Sequence, residues 1–253
     1  MTVNYNTRRL IAQLVYSLYR TLRPPEFSLV VVDNGSTDGS AELLSAVAAV
    51  GLCHLVANPE NRYHGPGLNQ GVSYLAEATR RDDTVPISYV WLLDSDCVVL
   101  RPDALSAPRA VMRETGAALV GQRGYDTSDV DELLGLHSLL LDPAQVWRPD
   151  IPAFQDHGSP SEALQRSCAE AGLVAVDFPY TRDGYIVHVG RGSLRQLLAA
   201  GERTNRHYDW ATTHHEPHFA LEPAAPAAYA AFQAAFARDV PTLDGASLVR
   251  ACR

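Results

Sequence analysis

The sequence contains no lysine, and all 21 of its basic residues are arginine. This absence excludes three classes of enzyme whose chemistry depends on a lysine side chain: P-loop nucleotide hydrolases, protein kinases, and pyridoxal enzymes that hold their cofactor as a Schiff base. A GC-rich genome explains the bias toward arginine more simply than a functional demand does. The absence of lysine therefore excludes these enzyme classes but does not identify the function.

Cysteine is also scarce, and the four cysteines are scattered without a C-x-x-C pair. Such spacing disfavours a disulfide framework and a zinc knuckle. No apolar run approaches the roughly 18–20 residues that span a bilayer. The stretch "MTVNYNTRRL" lacks the long apolar segment of a signal peptide. We therefore expect a reduced, cytoplasmic protein without a membrane span.

Basic residues are fewer than acidic ones: the sequence has 21 arginines and 29 acidic residues, and its formal net charge is −8. Nucleic acid is bound through a basic surface, so we do not expect it as a partner. The 253 residues, 46% of them hydrophobic, are enough to bury the core of one large domain or two small ones.

Strand-like and helix-like segments alternate through about the first 120 residues. Apolar runs typical of buried strands lie at 27–33, 53–58, 87–100 and 117–124. Segments with helical periodicity lie at 7–22, where Thr7 is the expected N-cap, and at 40–50, 68–80 and 102–116. This alternation predicts an α/β fold of Rossmann-like type, with a mostly parallel sheet and helices on both faces.

The second half of the chain is less regular. Between 126 and 190, proline and glycine punctuate short apolar runs. An alanine-rich helix is predicted at 224–240, where Tyr229, Phe232 and Phe236 recur at helical spacing and are expected to form a packing stripe.

The run "VWLLDSDCVVL" places Asp94 and Asp96 in the middle of an apolar strand. Residues two apart on a strand project to the same face, so the two carboxylates point together. A buried carboxylate needs a cation, and no arginine lies within six residues upstream or four downstream. A divalent metal answers this need, and we expect the strand to break at the triplet because extended backbone would hold the two aspartates too far apart. The alternative, a sheet end that caps backbone amides, stays open.

Three further motifs precede this triplet in the sequence. They are "VNYNT" at 3–7, "VVVDNGSTDGS" at 30–40 and the glycine-rich "NPENRYHGPGLNQGV" at 58–72. Together with the Asp-Ser-Asp triplet, they make the first 125 residues or so resemble a glycosyltransferase of the GT-A fold, in particular family 2, which uses nucleotide-sugar donors.

The resemblance implies roles for individual residues. Positions implied to bind the donor nucleotide and its diphosphate are Asn4, Tyr5, Asn6, Asp33, Asn61, Gly67, Asn69, Asp94 and Arg191. Positions implied to hold a divalent metal, Mn²⁺ or Mg²⁺, are Asp94, Asp96 and His188. A surface histidine before a turn remains the alternative for His188.

The sequence departs from the family where the catalytic base is expected. An acidic pair should precede Arg166 by about seven residues, but Ser159 and Pro160 stand there. We assign the base to Asp156 and retain Glu162 as the second nearby acid, because an inverting transfer must deprotonate the acceptor hydroxyl. A loop or helix-capping role for Asp156 is the alternative.

The stretch "NRHYDWATTHHEPHF" at 205–219 is rich in histidine and aromatic residues. His214, His215 and His218 fit an acceptor-side segment, a packed loop or a separate zinc site, although Pro217 weakens the helical spacing that zinc ligands need. The implied organisation is one continuous domain with a nucleotide-sugar half at 1–125, an acceptor half at 126–220 and a helical tail at 221–253.

The expected function is metal-dependent, inverting transfer of a sugar from a UDP-sugar or another nucleotide sugar to an acceptor hydroxyl. A non-catalytic nucleotide-sugar-binding homologue stays open because the acidic pair is missing. A dinucleotide-dependent oxidoreductase is disfavoured, since "GPGLNQG" is not G-x-G-x-x-G and follows the third strand. A homodimer is also left open.

Overall fold

The computed structural model describes residues 1–22, 26–81, 87–124, 133–156, 159–190 and 225–253. The strands are β1 (Thr2–Asn4), β2 (Val30–Asp33), β3 (His54–Ala57), β4 (Val90–Leu93), β5 (Cys97–Val99), β6 (Leu119–Arg123), β7 (Leu134–Leu141), β8 (Ala175–Asp177) and β9 (Ile186–His188). The helices are α1 (Arg8–Thr21), α2 (Ser40–Ala49), α3 (His64–Arg81), α4 (Ser106–Thr115), α5 (Pro143–Val146), α6 (Glu162–Glu170), α7 (Pro226–Asp239) and α8 (Gly245–Cys252).

Parallel pairing joins β1, β2 and β3 in that order, as the alternating pattern predicts. Asn4 stands beside Asp33 in the register, and Asp33 stands beside Ala57. Val30, Val31 and Val32 are buried, which is why this strand reads as one continuous apolar run. The carboxyl ends of the three strands therefore meet at one edge, and the three motifs at 3–7, 30–40 and 58–72 lie at that edge.

A second sheet has the order β4-β7-β6-β8 and is mixed. Strand β7 runs antiparallel to both β4 and β6, while β8 runs parallel to β6. The amide of Leu93 donates to the carbonyl of Met1 at 3.0 Å, so β4 also lies beside β1. The α/β class is confirmed, and the antiparallel β7 is a feature that the pattern of segments did not predict.

The predicted break at the Asp-Ser-Asp triplet is confirmed. The segment 87–100 forms two strands, β4 and β5, separated by a turn in which the amide of Cys97 donates to the carbonyl of Asp94 at 3.0 Å. Strand β5 leaves the second sheet and pairs antiparallel with β9. The triplet thus sits where the chain passes from one sheet to another.

Helix α1 begins at the predicted place, but its cap differs from the prediction. Thr7 occupies the N-cap position without capping the helix through its side chain. Its hydroxyl instead donates to Asn4 Oδ1 at 2.6 Å. The cap comes from Asp38, whose two oxygens accept from the amides of Arg8 at 2.8 Å and Ser40 at 3.0 Å. One carboxylate therefore caps the first turns of both α1 and α2.

The C-terminal helices pack onto α1 and α2. Tyr16 lies against the rings of Phe232 and Phe236, with centroid distances of 5.7 and 5.5 Å, so the predicted packing stripe is confirmed. The Tyr16 hydroxyl also donates to Asp239 at 2.6 Å. Among the helices within the described ranges, none is both long and apolar enough to cross a membrane.

Candidate active site

Strand pairing brings His188 to the Asp-Ser-Asp turn. In the antiparallel pair of β5 and β9, His188 stands opposite Cys97, and the amide of Val189 donates to the carbonyl of Asp96 at 3.0 Å. His188 is separated from the triplet by about 90 residues of sequence, yet this register sets its imidazole beside both aspartates. The resemblance implied this position, and the pairing explains how the chain reaches it.

Three side chains converge at this turn. His188 Nε2 lies 3.1 Å from Asp96 Oδ1 and 3.4 Å from Asp94 Oδ2. The side chains of His188 and Asp96 are 2% and 7% exposed, whereas that of Asp94 is 25% exposed. Asp94 is therefore the most accessible of the three side chains. A fourth side chain, that of His64, approaches it, and His64 Nε2 lies 3.6 Å from Asp94 Oδ1.

The charges of this group favour a cation. Burial alone would disfavour the imidazolium of His188, but the carboxylates of Asp96 and Asp94 outweigh burial and hold its pKa well above the usual value. The neighbouring His137 behaves in the opposite way, because burial and then the charge of His188 keep its pKa well below the usual value. The buried carboxylate of Asp96 and the half-buried carboxylate of Asp94 therefore favour a positive charge between them.

A divalent metal fits this donor set. Two carboxylates and one imidazole are ligands that Mn²⁺ takes readily, and Mg²⁺ accepts the carboxylates. Cys97 also lies near Asp96 and His188. However, its thiol donates to the carbonyl of His137 at 3.3 Å, and burial followed by the two carboxylates raises its pKa far above the usual value. Asp94 and Cys97 are therefore the two candidates to complete the set, and the preference of Mn²⁺ and Mg²⁺ for oxygen ligands favours Asp94.

His137 is a residue of this site that the sequence interpretation missed. It lies on β7 next to Ser138, the register partner of Leu93, and its ring stacks on that of His188 with a centroid distance of 5.0 Å. A signal was available, because "LGLHSLLL" places a histidine inside an otherwise apolar strand. The same reasoning that singled out Asp94 and Asp96 applies to it.

The predicted donor residues at the ends of β1 and β2 form a buried network. Asn4 Nδ2 donates to Asp33 Oδ1 at 2.7 Å, and Ser36 bonds both oxygens of Asp33. Asn6 accepts from the amide of Thr37 at 2.8 Å and adopts a positive φ of 50°. These side chains hold the loops that border the site, and their contact with a donor stays a prediction, as does that of the half-buried Tyr5.

The glycine-rich segment at 58–72 packs closely against β1 and β2. A methyl group on Gly67 would lie 2.9 Å from Val3 Cγ1 and 3.2 Å from Asn34 Nδ2, so only glycine permits this approach. Asn61 accepts from the amide of Tyr63 at 2.9 Å and shapes the loop that enters α3. The structure therefore gives Gly67 and Asn61 architectural contacts, and their role in binding a donor stays a prediction.

Asn69 links α3 to the segment that carries Asp156. Its side chain exchanges two hydrogen bonds with the backbone of Phe154. A methyl group on Gly65 would lie 1.5 Å from the carbonyl oxygen of Gln155, so α3 and this segment are in direct contact. Asp156 is exposed beside that contact.

Glu162, the second candidate acid, forms an ion pair with Arg166. It stands in the first turn of α6, where its carboxylate accepts from Arg166 Nε at 2.9 Å. This is a surface ion pair of the i, i+4 type. The assignments of Asp156 and Glu162 as acids of the reaction stay predictions. Arg191 and the cluster of His214, His215 and His218 lie outside the described residues.

Comparison with known proteins defines the family. The family model described as glycosyl transferase family 2 matches residues 1–165. A search of curated proteins finds no match to the chain.

Solved structures share the fold. Mannosyltransferase PcManGT from Pyrobaculum calidifontis, in complex with GDP-Man and Mn²⁺, is 19% identical over 99% of this chain and 84% of its own, with a TM-score of 0.57. Glucosyl-3-phosphoglycerate synthase from Mycobacterium tuberculosis, in complex with phosphoglyceric acid, is 17% identical over 81% and 80%, with a TM-score of 0.53. TarS from S. aureus is 17% identical over 70% of this chain and 34% of its own, also with a TM-score of 0.53. The chain belongs to glycosyl transferase family 2 and has the GT-A fold of these glycosyltransferases.

Proposed function

We propose that this protein transfers a sugar from a nucleoside diphosphate sugar to a hydroxyl group of an acceptor. The proposal is carried by the convergence of Asp94, Asp96 and His188, because the nearest oxygens of Asp96 and Asp94 lie 3.1 and 3.4 Å from His188 Nε2. The turn between β4 and β5 contributes both carboxylates, which are buried or half-buried, and β9 contributes the imidazole. Such a concentration of acid is costly unless a cation joins it.

Asp94, Asp96 and His188 are the residues that would hold Mn²⁺ or Mg²⁺. When bound, the ion neutralises the negative charge that develops on the departing nucleoside diphosphate. Asp96 and His188 are buried and fixed by strand pairing, which suits them to hold the ion. Asp94 is more exposed, which suits it to face the donor.

The donor nucleotide is proposed to lie at the carboxyl ends of β1 and β2, where parallel strands of this class commonly bind ligands. The network of Asn4, Asp33 and Ser36 fixes the two loops there. A UDP-sugar is our first candidate. Because PcManGT binds GDP-Man with Mn²⁺ on the same fold, GDP and its sugars are the second.

Asp156 is proposed as the base that takes the proton of the acceptor hydroxyl, with an inverting outcome. Its segment is held against α3 by Asn69, and α3 begins at His64, which approaches Asp94. Asp156 is thereby tied to the metal-binding side of the molecule. Glu162 is the weaker candidate, since its carboxylate is engaged by Arg166.

Calorimetry with UDP and GDP, each with and without Mn²⁺, tests the donor site. Asp96→Asn removes a metal ligand while keeping the side-chain volume, so we expect it to lose the metal-dependent part of nucleotide affinity without unfolding. Asp103→Asn is the matched control, because Asp103 forms a half-exposed ion pair with Arg101. Undiminished metal-dependent affinity in Asp96→Asn would refute the proposal.

Catalysis is tested separately from binding. In the absence of an acceptor, we expect slow, metal-dependent hydrolysis of the UDP- or GDP-sugar that binds, measured as release of nucleoside diphosphate. Asp156→Asn should reduce transfer to an acceptor while leaving nucleotide binding intact. Tight binding without any turnover would identify a non-catalytic nucleotide-sugar-binding homologue instead.

A further inference from the structure

We propose that His137 is a positioning residue of the metal site, which holds the imidazole of His188 in the orientation that aims Nε2 at Asp94 and Asp96. This inference rests on the proposed function, because it concerns the same metal site. His137 acts through the ring of His188, on which its own ring stacks.

The backbone of His137 is fixed to the Asp-Ser-Asp turn. Its carbonyl oxygen accepts from the amide of Asp94 at 3.0 Å and from the thiol of Cys97 at 3.3 Å. A carbonyl has two lone pairs, so one oxygen can accept both bonds. These two bonds fix the backbone of His137 against the turn, whatever its side chain contacts.

The ring of His137 forms a flat wall behind His188. The two rings are nearly parallel, with an interplanar angle of 17° and a centroid distance of 5.0 Å, within the range of stacked aromatic pairs. His137 is 2% exposed, as is the side chain of His188. Neither ring has room to turn, because protein interiors are close-packed.

Stacking on His137 is needed to fix the orientation of the His188 ring. His188 is the last residue of β9, a strand of three residues, so pairing with β5 fixes its backbone but leaves its side-chain torsions to packing. Without His137, the ring gains a cavity into which it can rotate, and Nε2 leaves the carboxylates. Residues that orient a metal ligand typically contribute about 10- to 100-fold to metal affinity.

Electron paramagnetic resonance measures this effect directly, because the signal of free Mn²⁺ decreases as the ion binds. We would titrate Mn²⁺ alone, and Mn²⁺ with UDP, into the full chain. His137→Ala should weaken Mn²⁺ binding about tenfold. His137→Phe restores a flat aromatic face and should recover most of the affinity. Ser138→Ala, at the next position of β7, is the matched control, since it removes the bond that Trp91 Nε1 on β4 donates to the Ser138 hydroxyl and leaves the stacked histidines unchanged.

A double-mutant cycle separates positioning from general damage to the fold. If His137 acts through His188, then His137→Ala should have no further effect on Mn²⁺ affinity in a His188→Ala background. Equal losses in both backgrounds, or an equal loss in Ser138→Ala, would overturn the inference. So would wild-type affinity in His137→Ala.

The two proposals fail in different ways. If the wild-type chain binds no Mn²⁺ with or without nucleotide, the metal site and the role of His137 both fall. If Asp96→Asn abolishes Mn²⁺ binding but His137→Ala binds like the wild type, only the role of His137 is wrong.

Discussion

The side chain of Asn69 and the backbone of Phe154 exchange two hydrogen bonds, at 2.8 Å to the carbonyl and 3.0 Å from the amide. The two residues are 85 positions apart in the sequence, and the bonds fasten the segment that carries Asp156 to helix α3. An amide side chain can both donate and accept in this way, whereas a carboxylate or an aliphatic side chain cannot.

Asn69→Ala should therefore loosen the Asp156 segment. We expect a loss of stability of about 1–2 kcal/mol, because two partly buried hydrogen bonds are lost. We also expect a larger fall in transfer rate than in Mn²⁺–UDP affinity. Gln70→Ala is the control on the same helix, since it removes the contact with Asn58 instead. Wild-type transfer rates in Asn69→Ala would contradict this assignment.

Asp38→Ala tests the shared cap of α1 and α2. Each cap lost costs about 1 kcal/mol, so the variant should unfold at a free energy lower by about 2 kcal/mol in urea. Asp38→Asn retains one acceptor oxygen and should lose about half as much. A change smaller than about 0.5 kcal/mol in Asp38→Ala would show that water satisfies the two amides as well as the carboxylate does.

Cys97→Ala tests which side chains make up the metal site. Because the thiol is bonded to the carbonyl of His137 and Mn²⁺ prefers oxygen and nitrogen ligands, the variant should bind Mn²⁺ as the wild type does, whereas His188→Ala should bind it more weakly. Cys53→Ala, a second buried cysteine, controls for the small cavity that each change leaves. Weaker Mn²⁺ binding in Cys97→Ala alone would make the thiol a ligand.

Tyr16→Phe tests how the C-terminal helix α7 is fastened to α1. The Tyr16 hydroxyl, followed by Arg238, lowers the pKa of Asp239 below its ordinary value of 3.8. A lowered folded-state pKa stabilises the protein above the ordinary value, and this contribution is lost as pH falls through the lowered one. The difference in melting temperature between wild type and Tyr16→Phe should therefore be largest above pH 3.8 and shrink below it.

The matched control for that experiment is Tyr19→Phe. The Tyr19 hydroxyl donates to the carbonyl of Leu52, which does not titrate, so the difference between this variant and the wild type should not follow the same acid profile. A constant difference across pH for Tyr16→Phe would mean that Asp239 contributes nothing through this bond.

Much of the candidate site could be predicted because its residues break a local pattern. Asp94 and Asp96 interrupt an apolar run, and the turn between β4 and β5 was expected because extended backbone would hold them too far apart to share a metal. His137 interrupts an apolar run too, but its role depends on stacking with His188, on a strand 50 positions away. Such pairing is decided by strand order, and the antiparallel placement of β7 has no signature in its own sequence.

Thr7 is the N-cap residue as predicted, but its hydroxyl does not cap the helix, for a similar reason. A threonine before an amphipathic helix is a good N-cap by local rules, and the position was right. The hydroxyl nevertheless bonds Asn4, because Asp38 reaches across from the next loop and satisfies the first turn of α1. Likewise, the tight contact of Gly65 with Gln155 joins distant segments, so spacing within the motif could not reveal it.

The three-residue strand β9 makes the length of the turn before it critical. Side chains alternate between the faces of a strand, so shifting β9 by one position would exchange His188 for Val187 or Val189 opposite Cys97. Deleting or inserting one residue between Thr181 and Tyr185 would thereby put an aliphatic group where the imidazole belongs. In homologues, loop length at this point should therefore separate chains that can hold a dication from chains that cannot, even where both aspartates are present.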